Sequence, residues 1–337
     1  MLAPHRRRPV SIGTALCVLL VVAVSACGSP SDQPAAPEPQ AGSSALQPVE
    51  AMSLLGVELR RPDLSDSTRE RLDNNLAAAD AAYAAEPDNE ETIIWRGRRL
   101  AYLSRYQEAI GVFSEGIERF PDSYRLLRHR GHRYISTRQL NLAVLDLAAA
   151  AELAAGHEDQ IEPDGAPNAL GILLGTDKFN IWYHLALARY LQGDFEAALA
   201  AYEECMAVSG NPDLLVATSD WMVMTLRRLG RESETTPLLD AITADMEIIE
   251  NDSYHRRLLM YKGELEAEDL LDLRSVDDPD QAVNIATQGY GVGNWYLTQG
   301  DQVRAIEVYG RILEGTSWAA FGYIAAEADL ARLRSAE

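Results

Sequence analysis

Residues 90–121 read EETIIWRGRRLAYLSRYQEAIGVFSEGIERFP, and residues 124–155 read YRLLRHRGHRYISTRQLNLAVLDLAAAAELAA. Laid over one another at an offset of 34, the two stretches put Gly97, Ala109, Phe113, Gly116 and Pro121 on Gly131, Ala143, Leu147, Ala150 and Ala155. Small residues in the first, second and fourth slots let two helices approach closely. The large residue in the third, Phe113 or Leu147, fills the space between neighbouring pairs. Within each stretch the apolar residues recur at helical spacing, so each is read as two helices joined by a short turn.

This 34-residue pattern resembles the tetratricopeptide repeat, a helix–turn–helix unit that stacks into a curved array. The resemblance implies an all-α fold, a right-handed superhelical solenoid over residues 63–337, with clear repeats near 90–123, 124–155, 179–212 and 286–319. In the third repeat Ala186, Ala198, Tyr202 and Cys205 fill the slots, with Gly193 in the turn and Asp194 capping the second helix. In the last, Gly293, Ala305 and Tyr309 surround the turn Gln299-Gly300-Asp301. Residues 213–285 read as degenerate repeats, and 318–335 as a terminal helix covering the apolar side of the final unit. A first helix is expected after the cap Ser65, carrying Leu72, Leu76, Ala79 and Tyr83, with Pro87 ending it.

Residues 156–178 break the register. With two prolines and several glycines they read as a long loop insertion, of a length that is often functional. His157, Asp159, Glu162 and Asp164 lie there, yet they lack the alternating oxygen ligands and fixed glycine of a calcium loop. No metal and no cofactor is expected.

The N-terminus carries a different message. Arg6, Arg7 and Arg8 precede an apolar run from Val10 to Ala26, the layout of a secretory leader over residues 1–26. Val24-Ser25-Ala26-Cys27 resembles the lipobox of bacterial lipoproteins. The resemblance implies lipidation of the Cys27 thiol, and a protein exported and lipid-anchored to a bacterial membrane (outer membrane, periplasmic face or cell surface). Two or more acyl chains would make such an anchor stable. A retained transmembrane anchor is the competing reading. Residues 27–62, rich in Pro, Ala and Ser, read as a disordered tether. Loss of Cys17 with the leader leaves Cys205 as the one free thiol, in a small-residue slot, where a buried and inert side chain is expected.

The formal charge of the 337-residue chain is −21. Such a chain repels phosphate overall, so nucleic acid is not expected as a partner. Between Arg96 and Arg138, however, ten arginines face only Glu108, Glu115, Glu118 and Asp122. This block could attract an acidic peptide or a carboxylate-bearing ligand; it could lie against anionic lipid; or it could be neutralised by acids on adjacent helices.

In the family that the repeats resemble, first helices line the concave surface. Taken at the same offsets from each small-residue slot, the stripe carries Arg98, then Arg125, Arg128 and His132, then Asn180, Tyr183 and Tyr190, and finally Tyr290 and Asn294, with Tyr102 beside it. These side chains suit an extended peptide: planar donors for carboxylates, and rigid aromatic surface. No phosphate loop, Gly-x-Ser-x-Gly elbow or His-Glu-x-x-His is present. The expectation is therefore a monomeric, non-enzymatic scaffold of the cell envelope, binding an acidic peptide segment of another protein in its groove. The alternative is a small carboxylate or sugar-like ligand, bound or processed in a groove closed over by the 156–177 loop.

Overall fold

A computed structural model describes residues 47–163, 165, 168–271 and 282–335. Residues 1–46, with the leader expected over 1–26 and Cys27, lie outside the described residues, as does Asp164. Among the described residues no helix is long and apolar enough to cross a membrane.

The described unit opens with an antiparallel hairpin, β1 (Val49–Met52) and β2 (Glu58–Arg60), paired Val49 to Arg60, Ala51 to Leu59 and Met52 to Glu58. The expected tether to residue 62 is corrected here: the chain is ordered into this hairpin well before Ser65. Two strands alone are marginal in water. These are held because Ala51 and Leu59 are buried and because Glu50 reaches the helix layer, accepting from Arg61 Nε (2.6 Å) and the Gln107 amide (3.0 Å).

Helices follow almost without break: α1 (Asp66–Ala85), α2 (Glu90–Tyr102), α3 (Tyr106–Arg119), α4 (Tyr124–Ser136), α5 (Leu140–Ala154), α6 (Asp177–Gln192), α7 (Phe195–Ala207) and α8 (Pro212–Arg228). Then come the short α9 (Thr236–Asp240), α10 (Asp252–Tyr261) and α11 (Ala267–Leu270), and finally α12 (Ala282–Thr298), α13 (Gln302–Leu313) and α14 (Phe321–Ser335). Each helix from α1 to α8 packs on the next, and α2, α4, α6 and α8 also touch in series. The result is an all-α solenoid of helix–turn–helix units. In the degenerate region the helix that follows α8 shrinks to a 3-10 turn and α9, and α10 bridges α8 to α12 instead.

The small-residue slots behave as the spacing requires. A Cβ on Gly97 would lie 2.3 Å from the Phe113 ring, on Gly131 2.7 Å from Leu147 Cγ, and on Gly293 2.5 Å from the Tyr309 ring. The turns repeat too. Ser104 and Arg138, 34 residues apart, both take left-handed backbone (φ 56° and 62°), as do Gly193, Gly230 and Gly300 after their helices. Replacing Gly97 by alanine is expected to destabilise the fold by about 1–3 kcal/mol through overpacking, part of it offset by better helix propensity. Gly111→Ala, on the exposed face of α3 with nothing within 4 Å of a new Cβ, should be neutral or stabilising by up to ~1 kcal/mol. Urea unfolding of the two variants checks the contrast; equal stabilities would overturn it.

The terminal helix does more than cover the last pair. α14 packs on α12 and α13 and also reaches α6. Its Glu327 accepts from Arg138 Nε (3.0 Å) and Nη2 (2.9 Å) in an ion pair with both side chains almost fully buried. Glu327 also lies 3.3 Å from the Leu54 amide, while Trp318 Nε1 donates to the Arg60 carbonyl (2.7 Å). The hairpin, the α4–α5 turn and α14 are thereby joined in one core.

A cationic cavity under the inserted loop

The inserted loop does not swing free. Ile161 forms an antiparallel bridge with Thr176, the Glu162 amide donates to the Gly175 carbonyl (3.0 Å), and the Asp177 amide donates to the Gln160 carbonyl (2.8 Å). These bonds lay residues 160–163 and Gly165 across α2, α4 and α6. There Arg98 Nη1 donates to the Pro163 carbonyl (2.6 Å) and Arg99 Nη1 to the Gly165 carbonyl (3.1 Å). The Glu162 carboxylate lies 3.0 Å from Arg128 Nε and 4.0 Å from Arg98 Nη1, and it accepts from Asn180 Nδ2 (3.0 Å). The Arg128 contact is an ion pair without a hydrogen bond, since its buried Nε has no aligned acceptor. Gly165 is required for this approach: a Cβ there would come within 2.2 Å of the Tyr102 hydroxyl.

Between the loop and the helices is a cavity of about 270 Å³. Of the stripe read from the sequence, Arg98, Tyr102, Arg128, His132 and Asn180 line it, joined by His129, Arg133, Glu162, Phe113 and Leu174. Arg125 stands outside this lining, paired with Glu91 (2.7 Å) and 4.0 Å from Asp177. The His132 ring packs on His184 at 4.3 Å and on Phe321 at 5.4 Å. Burial pushes the His129, His132 and His184 rings well below their ordinary range, and neighbouring guanidiniums, Arg128 and Arg133 above all, add to the effect. Neutral His129 accordingly accepts from Arg128 Nη1 (2.9 Å) at Nδ1. Burial also lowers Arg133, to about 10, with Arg128 and Arg98 pushing the same way.

The second half of the stripe is a correction. Tyr183, Tyr190, Tyr290 and Asn294 are not a groove surface; they are buried. Tyr183 bonds Tyr254 (3.1 Å). Tyr290 and Tyr309 donate to Asp329 of α14 (3.1 Å each), the hydroxyls of Tyr190 and Tyr290 are 2.6 Å apart, and Asn294 Nδ2 donates to Tyr190 (2.9 Å). Helical periodicity puts these residues on one face, but α14 lies against that face.

The arginine block is largely neutralised. Arg96 pairs with Asp80, Arg105 with Glu108, Arg130 with Asp146 and Arg138 with Glu327, besides the pairs already given. Arg133 is the exception inside the cavity. Among the described residues no carboxylate lies within ion-pairing distance of it, and its guanidinium rests over the Tyr106 ring at 5.4 Å. Arg133 and His129 fall off the offsets used for the stripe; their signal was their place beside Arg128 and His132 in an arginine-rich helix. Cys205 is buried, with burial pushing its thiol up to about 12.

Residues 181–208, which span most of α6 and α7, match the sequence model of the tetratricopeptide repeat. The chain therefore contains a tetratricopeptide repeat, and its neighbouring pairs share that geometry. No curated protein matches the sequence significantly. Among solved structures, MamA (AMB-1) is similar at 16% identity over 51% of this chain and 88% of that chain, with a TM-score of 0.39. YrrB, described as a tetratricopeptide-repeat protein with an unusual peptide-binding site, is similar at 12% identity over 70% and 91%, TM-score 0.39. The repeat domain of P58(IPK) is similar at 14% identity over 79% and 94%, TM-score 0.27.

Proposed function

We propose that this chain is a protein-interaction scaffold with no chemistry of its own, and that its first repeats bind an extended acidic segment of another cell-envelope protein. The observation carrying the reading is that these repeats already hold such a segment in cis. Arginines on α2 take two main-chain carbonyls of the inserted loop, while Arg128 and Asn180 take its Glu162. Main-chain bonds supply affinity and a side-chain pocket supplies specificity, the division of labour found in peptide recognition. A partner segment would meet the same donors once the loop swings out, so the loop competes with the partner. Export and lipidation at Cys27, supported by the leader and the lipobox-like Val24–Cys27, would place this exchange at a membrane surface.

The test uses the loop itself as probe. A chain with residues 160–165 replaced by a Gly-Ser stretch is titrated with a synthetic peptide, DQIEPDG, copying Asp159–Gly165. The opened chain is expected to bind the peptide, and the unaltered chain to bind it far more weakly. Glu162→Gln in the peptide removes a charge-assisted contact of roughly 1.5–3 kcal/mol, so affinity should fall about 10- to 100-fold. An opened chain that ignores the peptide, or takes both versions equally, would falsify the reading.

A further inference from the structure

We propose that the cavity beneath the inserted loop is a separate binding site for a small monocarboxylate with an apolar body, its carboxylate paired with Arg133. The site does not depend on the peptide reading, because Arg133 takes no part in gripping the loop.

Charge is the first argument. Three guanidiniums, Arg98, Arg128 and Arg133, share the lining with one inward carboxylate, Glu162, which is already engaged by Arg128, Arg98 and Asn180. Glu250 is at the rim, exposed and bonded to Asn168 Nδ2 (2.5 Å). His129 and His132 are held neutral, so they add no charge of either sign. One half-buried cation, Arg133, is left without a counter-charge among the described residues. Leaving a charge in partly desolvated surroundings is costly, and a bound anion removes that cost.

Size and lining decide the class of anion. A cavity of about 270 Å³ is at the small end of ligand sites, which begin near ~300 Å³. It excludes an extended peptide. A single uncompensated guanidinium calls for one negative charge, where a phosphate ester would bring up to two. Phe113, Ala101 and Leu174 supply apolar wall, which a bare inorganic anion would leave unused.

Benzoate is the probe, titrated calorimetrically into the intact protein and into two variants. Arg133→Gln removes the counter-charge, and Leu174→Trp fills the space from the loop side. Saturable binding of benzoate to the unaltered protein is expected, weakened at least tenfold by each substitution, with acetate at least tenfold weaker than benzoate. Circular dichroism establishes that each variant is folded; if Arg133→Gln does not fold, Leu174→Trp decides. Lack of saturable benzoate binding to the unaltered protein overturns the proposal, as does a folded variant that binds like the parent. Inorganic phosphate or acetate binding as tightly as benzoate overturns it too. The opened chain titrated with DQIEPDG reports on the peptide reading alone, so the two can fail separately.

Discussion

Asp329→Ala is expected to destabilise the protein by about 3–5 kcal/mol, the range seen when a buried ion pair loses one partner. Asp329 is fully buried on α14 and is the sole carboxylate among four donors. Arg332 Nη2 reaches it at 2.6 Å and Arg228 Nη2 at 2.9 Å, with the phenols of Tyr290 and Tyr309 at 3.1 Å. Burial pushes the Arg228 guanidinium down, but Asp329 and the surrounding phenols more than offset this and hold it above its ordinary value. Truncation leaves the largely buried guanidinium of Arg228 and the partly exposed one of Arg332 without their shared counter-charge, and the phenols of Tyr290 and Tyr309 without their acceptor. Asp194→Ala, which removes the exposed cap of α7 (Oδ1 accepting from the Ala197 amide, 3.2 Å) and a surface ion pair with Arg189 (3.6 Å), should cost about 1 kcal/mol and sets the scale. Urea unfolding of both variants is the measurement. If Asp329→Ala costs no more than Asp194→Ala, the network is not what fixes α14 against the inner face.

That network also explains which parts of the site could be read from residues alone. The first half of the stripe carries Arg98, Arg128, His132 and Asn180, polar side chains that need either solvent or a polar partner, and the structure gathers them around one cavity. The second half carries Tyr183, Tyr190 and Tyr290, whose large apolar bodies are equally suited to a groove or to a core. Periodicity fixes the face of a helix, not what lies against that face. The covering element, α14, is legible as a terminal helix over the last pair, but it also reaches α6 from more than a hundred residues downstream, and no local pattern announces that reach. The 34-residue register was legible because each slot is a steric requirement, such as Gly97 under Phe113 or Gly131 under Leu147. The hairpin at 49–60 was not, because its stability is borrowed through Glu50 from the first turn of α3. The loop's path was hidden for the same reason: Glu162 reads as one more exposed acid until Arg128 and Asn180 are placed opposite it.

Acidification should destabilise the protein well before its carboxylates titrate in bulk. His129, His132 and His184 are held neutral in the fold by burial and by Arg128 and Arg133, with pKa values well below 6.5. A group whose folded pKa is depressed binds protons more readily in the unfolded chain. Its contribution is therefore fully present above pH 6.5 and is lost as pH falls below it. Asp177 works the other way: burial, and then Glu162, raise it to about 6 from 3.8, so the fold gains from it as pH drops from 6 towards 3.8. Burial raises Asp220 likewise to about 6, against the pull of Arg257, so three histidines outweigh two aspartates, and between pH 7.5 and 5.5 the net loss is roughly 2.5 kcal/mol if each ring stays neutral in the fold. The trend runs against the effect of overall charge. With a pI near 4.7, acidification shrinks the net negative charge and relieves self-repulsion, which alone would raise stability. Urea unfolding at pH 7.5, 6.5 and 5.5 separates the two, and His132→Asn should flatten the slope by about one proton. Stability that is level or rising over that range would mean that the ring cluster against α14 takes up protons without opening, and the cavity floor would then be far wetter than its packing indicates.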